Sequence, residues 1–283
     1  MMDFQSFCLA NGVAISTLMQ GDRIFRCPTT THPGSKNGAY FFDGRRGWCQ
    51  NWETGEPAQW WNDDRAQPWS DAEKREWANR RRIAEESKRK AQAEAAKRAA
   101  VMIAGAARAT HPYLKEKGLE EELGLVTPES DLLVPMRDFS SNELMGVQVI
   151  RLVENEWEKK MIYGMRAKGA VLRIGSRKSA ETIFVEGYAT GLSVDIALRL
   201  VRMNMSVLIC FSAQNLVFVA NNTSGRRYVF ADHDASNTGE RAAKETNLPY
   251  CMADEVGMDA NDLHRRDGVM AVAKKLMQLR LSG

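Results

Sequence analysis

Three short apolar runs in the second half of the chain, Thr182-Ile-Phe-Val185, Val207-Leu-Ile-Cys-Phe211 and Tyr228-Val-Phe-Ala231, read as buried strands. Between the first two, Ala189-Thr-Gly-Leu-Ser-Val-Asp-Ile-Ala-Leu198 reads as the start of a helix with Leu192, Ile196 and Leu200 on one face. Ser212-Ala-Gln-Asn-Leu216 begins a turn and helix after the second run, and Gly239-Glu-Arg-Ala-Ala-Lys244 opens another helix after the third. Strands alternating with helices predict right-handed βαβ crossovers and a parallel sheet.

Two of the runs stop abruptly at acids. Val185 is followed by Glu186-Gly-Tyr188, and Ala231 by Asp232-His-Asp234. Carboxylates at the ends of two parallel strands converge at one edge of the sheet, where open α/β folds place their ligands. Asp232 and Asp234 stand two residues apart on extended backbone, so their side chains point the same way and can share a hard, oxygen-loving cation. His233 points to the other side and reads as structural. Further on, Asp259-Ala-Asn-Asp262-Leu-His264 supplies two more carboxylates, which suit a plain loop equally well. Glu186 has an alternative role as a cap for the helix that follows it. Gly187 reads as a tight strand-to-helix turn, and Gly239 as its equivalent at a helix start.

In this order and at strand ends, Glu186-Gly-Tyr-Ala-Thr190, Asp232-His-Asp234 with Gly239, and Asp259-Ala-Asn-Asp262-Leu-His264 resemble the TOPRIM domain as carried by phage and plasmid DNA primases. Upstream, Tyr113-Leu-Lys-Glu-Lys-Gly118, Leu132-Leu-Val-Pro-Met-Arg-Asp138, Gly146-Val-Gln-Val-Ile150 and Lys159-Lys160 are similar to the small subdomain that precedes TOPRIM there. The resemblance implies an α/β protein with a TOPRIM-type parallel-sheet catalytic domain at 179–283 and a mixed α+β subdomain at 111–178. It implies synthesis of short RNA primers on a single-stranded DNA template from ribonucleoside triphosphates, with Mg2+ or Mn2+. Asp232 and Asp234 would hold metal, helped by Asp259 and Asp262; Glu186 would complete a metal shell or take the proton from the attacking 3′-hydroxyl. Lys159, Lys160, Arg166 and Lys168 are candidates for triphosphate or template contacts, each also explicable as surface charge. Asn215 falls near the cleft, with Gln214 replacing a small residue typical of relatives. The same acids suit a metal-dependent TOPRIM nuclease, in which water replaces the ribose hydroxyl. A non-catalytic DNA-binding or replication-protein-binding relative is the other alternative. No Gly-x-x-x-x-Gly-Lys-Ser/Thr loop is present, so a replicative helicase would be a separate partner.

The first third of the chain has a different composition. Six of its seven tryptophans (Trp48, Trp52, Trp60, Trp61, Trp69, Trp77) precede residue 80, interleaved with Arg45, Arg46 and Arg65. Such residues either stack bases and hold phosphates or fill the core of a small β-rich module at 1–69. Cys27, His32 and Cys49 resemble a bacterial primase zinc ribbon, but a structural zinc site wants four ligands and Trp52 stands where a cysteine would complete the pair. We therefore expect a degenerate site without zinc; nothing in the spacing of Cys8 supports it as a fourth ligand. Residues 70–110 are dense in Ala, Glu, Lys and Arg, with a capping box at Ser70 and Glu73. From Asp71 to Arg108 eleven Lys/Arg face six Asp/Glu, which suits a basic strut along DNA or, as composition favours, a solvated helical linker.

Whole-chain numbers change this picture little. A net charge of +3 makes the overall field a weak argument for nucleic acid, so local patches must carry it. Five scattered cysteines with no basic leader before them point to a reducing cytoplasm. No apolar run approaches the roughly eighteen residues that span a bilayer.

Overall fold

The computed structural model describes residues 2–63 and 71–282, in two compact units, Met1–Arg81 and Arg82–Gly283. The expected capping box at Ser70 and Glu73, together with Arg65, Trp69 and the Trp77 side chain, lies outside the described residues. Among the described residues no helix is long and apolar enough to cross a membrane.

In the first unit, α1 (Phe4–Ala10) packs on an antiparallel meander of β1 (Gly21–Cys27), β2 (Gly38–Phe42), β3 (Arg46–Asn51) and β4 (Gln59–Asn62). The Asp3 carboxylate caps α1, accepting the Ser6 N–H at 2.7 Å. Strand alternation turns Phe25, Cys27, Tyr40 and Cys49 toward Phe4 and Cys8. The tryptophans divide between two roles: Trp61 packs on this core, whereas Trp60 is 73% exposed and Trp52 lies 3.6 Å beneath the Arg26 guanidinium. The expected zinc remnant is corrected in its membership. His32 is exposed and pairs with Glu53 at 3.0 Å, while Cys8, brought in by α1, is the thiol that joins Cys27 and Cys49 in the core.

The basic helical linker expected at 70–110 coincides largely with α2 (Asp71–Ala104), inside which the division between the units falls. Ala95 and Ala99 are fully buried, and Ala99 packs with Leu133, Val147 and Val149. Alanines on one face let a highly charged helix lie close on a sheet, a feature that charge counting passes over.

That sheet has ten strands. Its first part comprises β5 (Ala107–Ala109), β6 (Gly124–Val126), β7 (Leu132–Asp138), β8 (Leu144–Val153), β9 (Glu156–Met161) and β10 (Ala170–Ile174), with α3 (Pro112–Glu116) between β5 and β6. β10 pairs antiparallel with β7 on one edge and with β12 (Ser206–Ile209) on the other. Residues 111–178 and 179–283 therefore share one continuous sheet. The parallel part runs β14 (Tyr250–Cys251), β13 (Arg226–Phe230), β11 (Glu181–Val185), β12.

The apolar runs are continuous because these strands are covered on both faces. Ile183, Val185, Val207, Ile209 and Phe230 pack with α4 (Tyr188–Leu200), α7 (Ala260–Asp267) and α8 (Val269–Ser282). The alternate residues Phe184, Leu208 and Val229 pack with α5 (Ala213–Asn221) and α6 (Thr238–Glu245). A Cβ on Gly191 would stand 2.3 Å from Ile209 Cγ1, so only glycine lets α4 approach β12 this closely. The chain steps from β11 outward to β12, then back past β11 to β13. The reversal opens a crevice at the carboxyl ends of β11 and β13.

Candidate active site

Glu186 directly follows β11, and Asp232 follows β13 after Ala231, so both flank the crevice. The end of β12 is tied to Glu186, whose carbonyl accepts the Phe211 N–H at 2.9 Å. Phe211 holds φ +64°, a left-handed conformation that costs a bulky residue on the order of 1–3 kcal/mol. Burial raises the Glu186 carboxyl above its usual range and the Asp234 charge adds to this, offset in part by the Ala213 N–H at the start of α5.

Asp234 has a different environment. Its Oδ1 accepts the N–H groups of Ser236 (2.9 Å) and Thr238 (3.1 Å) and the Ser236 hydroxyl, and its Oδ2 accepts the Gly239 N–H at 2.8 Å. Burial alone would raise it, but these donors at the start of α6 prevail and hold it at about 2. Gly239 is needed here: a Cβ would lie 2.2 Å from the Asp232 carbonyl oxygen. His233 points away, its Nδ1 2.9 Å from the Ala253 carbonyl and its N–H on the Met258 carbonyl.

Asp259 and Asp262 form the capping box of α7. Asp259 Oδ1 accepts the Asp262 N–H at 2.9 Å, and its Oδ2 accepts the Thr190 hydroxyl from α4 at 2.9 Å. Asp262 Oδ2 accepts the Asp259 N–H at 3.3 Å. The sequence offered a plain loop for these acids; the spacing Asp-x-x-Asp before a helix was the available signal for a cap. Thr190, the last residue of the run that begins at Glu186, orients Asp259.

Asp232 is where the charges converge. Burial, then Asp259, Glu186, Asp234 and Asp262, push its carboxyl up to about 7. Its Oδ1 is buried with no hydrogen-bond partner, a costly state for a carboxylate oxygen. Among the described residues no three His, Cys, Asp or Glu side chains form a ready cage for one ion, and the oxygens of Asp234 and Asp259 accept hydrogen bonds at the starts of α6 and α7. The orphaned oxygen, surrounded by carboxylates and no thiol or imidazole ligand set, nevertheless fits a hard divalent cation.

The predicted basic residues separate. Lys159 Nζ stands 5.2 Å over the Tyr113 ring, Lys160 pairs with Glu158 at 2.5 Å, and Arg166 pairs with Asp138 at 2.5 Å. Of the four, Lys168 lines a cavity of about 340 Å³ at the start of α5, with Ser212, Gln214 and Phe218. Asn215, the other candidate nucleotide contact, also lines this cavity and is held as a clamp. Its Oδ1 accepts the Gly169 N–H at 2.7 Å and its Nδ2 donates to the carbonyls of Ala170 and Cys210, both at 2.8 Å, so both its donors are used in joining α5 to β10 and β12.

Residues 181–269 match the family model of the Toprim domain. The chain thus contains a Toprim domain, a module found in primases, nucleases and topoisomerases, where it binds Mg2+ through acidic residues and usually catalyses metal-dependent nucleic-acid chemistry. The matched span runs from β11 to the start of α8 and includes all five carboxylates. No curated protein matches the chain.

Proposed function

We propose that this protein is a primase-like nucleotidyltransferase that joins ribonucleotides into short primers on single-stranded DNA. The observation that carries the reading is the continuous sheet: β10 links the Toprim strands to the β5–β9 subdomain and sets Lys168 and its cavity beside the acidic crevice. A nucleotide-sized recess beside a phosphoryl-transfer centre is what primer synthesis requires.

Asp232, with Glu186 and Asp262, would hold the divalent ion, which when bound would neutralise charge building on the transferring phosphorus and its leaving group. Glu186, whose carboxyl burial raises above its usual range, would either complete that metal shell or, as the carboxylate, accept the proton from the attacking hydroxyl. Asp234 stays ionised and, by fixing the start of α6, keeps the Asp232 backbone in place. Asp259 and Asp262 fix α7 and raise the proton affinity of Asp232, so that metal must compete with a proton near neutrality.

Incubating the full chain with single-stranded DNA, Mg2+ and labelled ribonucleoside triphosphates tests the reading. Labelled primers are expected; cleaved DNA with no label incorporated would identify a nuclease, and neither product a binding protein.

A further inference from the structure

We propose that the cavity beside the acidic crevice binds one nucleotide unit, its base on the Phe218 ring and its phosphate on Lys168. At about 340 Å³ the recess is of small-ligand size. Its floor is rigid. Phe139 meets Phe218 edge-on, with ring centroids 6.0 Å apart at 85°, and the spent amide of Asn215 fixes the adjoining wall. The Lys168 ammonium stands 4.3 Å over the Phe218 ring centroid. No carboxylate pairs with it among the described residues, and its side chain is exposed. A flexible ammonium resting on a ring can turn to a phosphate, and the ring face it uncovers is the surface on which a base stacks. The exposed Gln214 offers a free amide donor and acceptor at the mouth, and the Ser212 hydroxyl, which accepts the Asn215 N–H at 3.3 Å, keeps its own proton to donate.

Ala213, between Ser212 and Gln214, directs its N–H at the Glu186 carboxylate, so a nucleotide seated here has its reactive end beside the carboxylates. That orientation rests on the proposed function; the binding itself does not. A free ribonucleotide and a nucleotide within a bound strand share this chemistry.

The test measures binding to the full chain in EDTA, using adenosine 5′-monophosphate and a short oligothymidylate as separate probes. Phe218→Leu and Lys168→Ala are each expected to weaken at least one probe about tenfold. Gln214→Glu, at an exposed position that leaves the core intact, is expected to weaken the same probe by charge. Loss confined to the monophosphate assigns the cavity to free nucleotide, and loss confined to the oligonucleotide assigns it to the strand. Failure of wild type to bind either probe, or unchanged affinity for both in the variants, overturns the cavity assignment even if magnesium-dependent synthesis persists. Variant-sensitive binding without synthesis would instead leave the cavity standing and remove the proposed activity.

Discussion

Two clusters of like groups lie in the two units of this molecule, and they differ in what burial has done to them. Cys8, Cys27 and Cys49 meet in the core of the first unit as free thiols among Phe4, Phe25 and Tyr40. Burial pushes Cys27 up to about 11, and Cys8, which hydrogen-bonds to Cys49, is also raised. Buried thiols there pack as small apolar side chains. At the sheet edge of the second unit, Asp232 keeps a buried oxygen without a partner while four other carboxylates act on it. Proximity of similar groups is common to both; the thiols lie among apolar rings, whereas the acidic cluster holds a buried carboxylate oxygen without a partner in the midst of like charges.

The sharpest break in that comparison comes from Asp232→Asn. Catalysis should fall about a hundredfold or more, as when an electrostatic element of a transition state is removed. Stability should move the opposite way. The folded-state value of about 7 lies above the unfolded one, so the native state holds an extra proton between them and loses stability as pH rises through that window. Asparagine removes this loss. In chelator the variant should match wild type near pH 4 and exceed it at pH 8 by a few kcal/mol, at about 1.36 kcal/mol per pKa unit. Magnesium should raise the melting temperature of wild type only. Activity retained within about threefold would mean that Asp232 is an ordinary buried acid.

A truncation asks whether the second unit is self-sufficient. A fragment of residues 82–283 keeps α2 over Leu133, Val147 and Val149 and should melt cooperatively with its magnesium response intact. A fragment of residues 111–283 bares those side chains, each worth about 1.5–3 kcal/mol when fully buried, and should melt far lower by calorimetry. Equal melting of the two would restore residues 70–110 to the status of a linker.

The thiol cluster is expected to respond in a third way. Cys49→Ser places a hydroxyl in a fully buried site and should cost about 1–3 kcal/mol in chemical denaturation, with catalysis by the second unit unchanged. Zinc should be substoichiometric by elemental analysis, and chelator should leave the first unit folded. One tightly held zinc per chain would make the thiols a metal site after all.

The acidic edge was legible in the sequence because strands buried on both faces leave uninterrupted apolar runs, so the acids that end Thr182–Val185 and Tyr228–Ala231 stand out. What was hidden depends on contacts distant in sequence. Asn215 gave no sign that Gly169 and Ala170, far upstream, would consume its amide. Cys8 reaches Cys49 only because α1 folds across the meander, whereas His32, nearer in sequence to Cys27, turns out to Glu53. The packing of α2 rests on Ala95 and Ala99 with Met102 and Ile103, a short i, i+4, i+7, i+8 stripe confined to the end of a helix otherwise rich in Lys, Arg and Glu.

The smallest expected effect gives the finest view of the acidic edge. Asparagine is as good an N-cap as aspartate, so Asp259→Asn should keep the capping box and change stability by only a few tenths of a kcal/mol. The same exchange removes the carboxylate that contributes most, after burial, to the raised value of Asp232. The Asp232 titration, followed by carboxyl carbon NMR in chelator, should therefore move below about 7, and the pH at which magnesium begins to stabilise the protein should fall with it. If Asp259 were itself an essential ligand, the magnesium response would disappear at every pH. A titration unmoved by the exchange would show that burial alone sets the Asp232 proton affinity, leaving Asp259 to its helix.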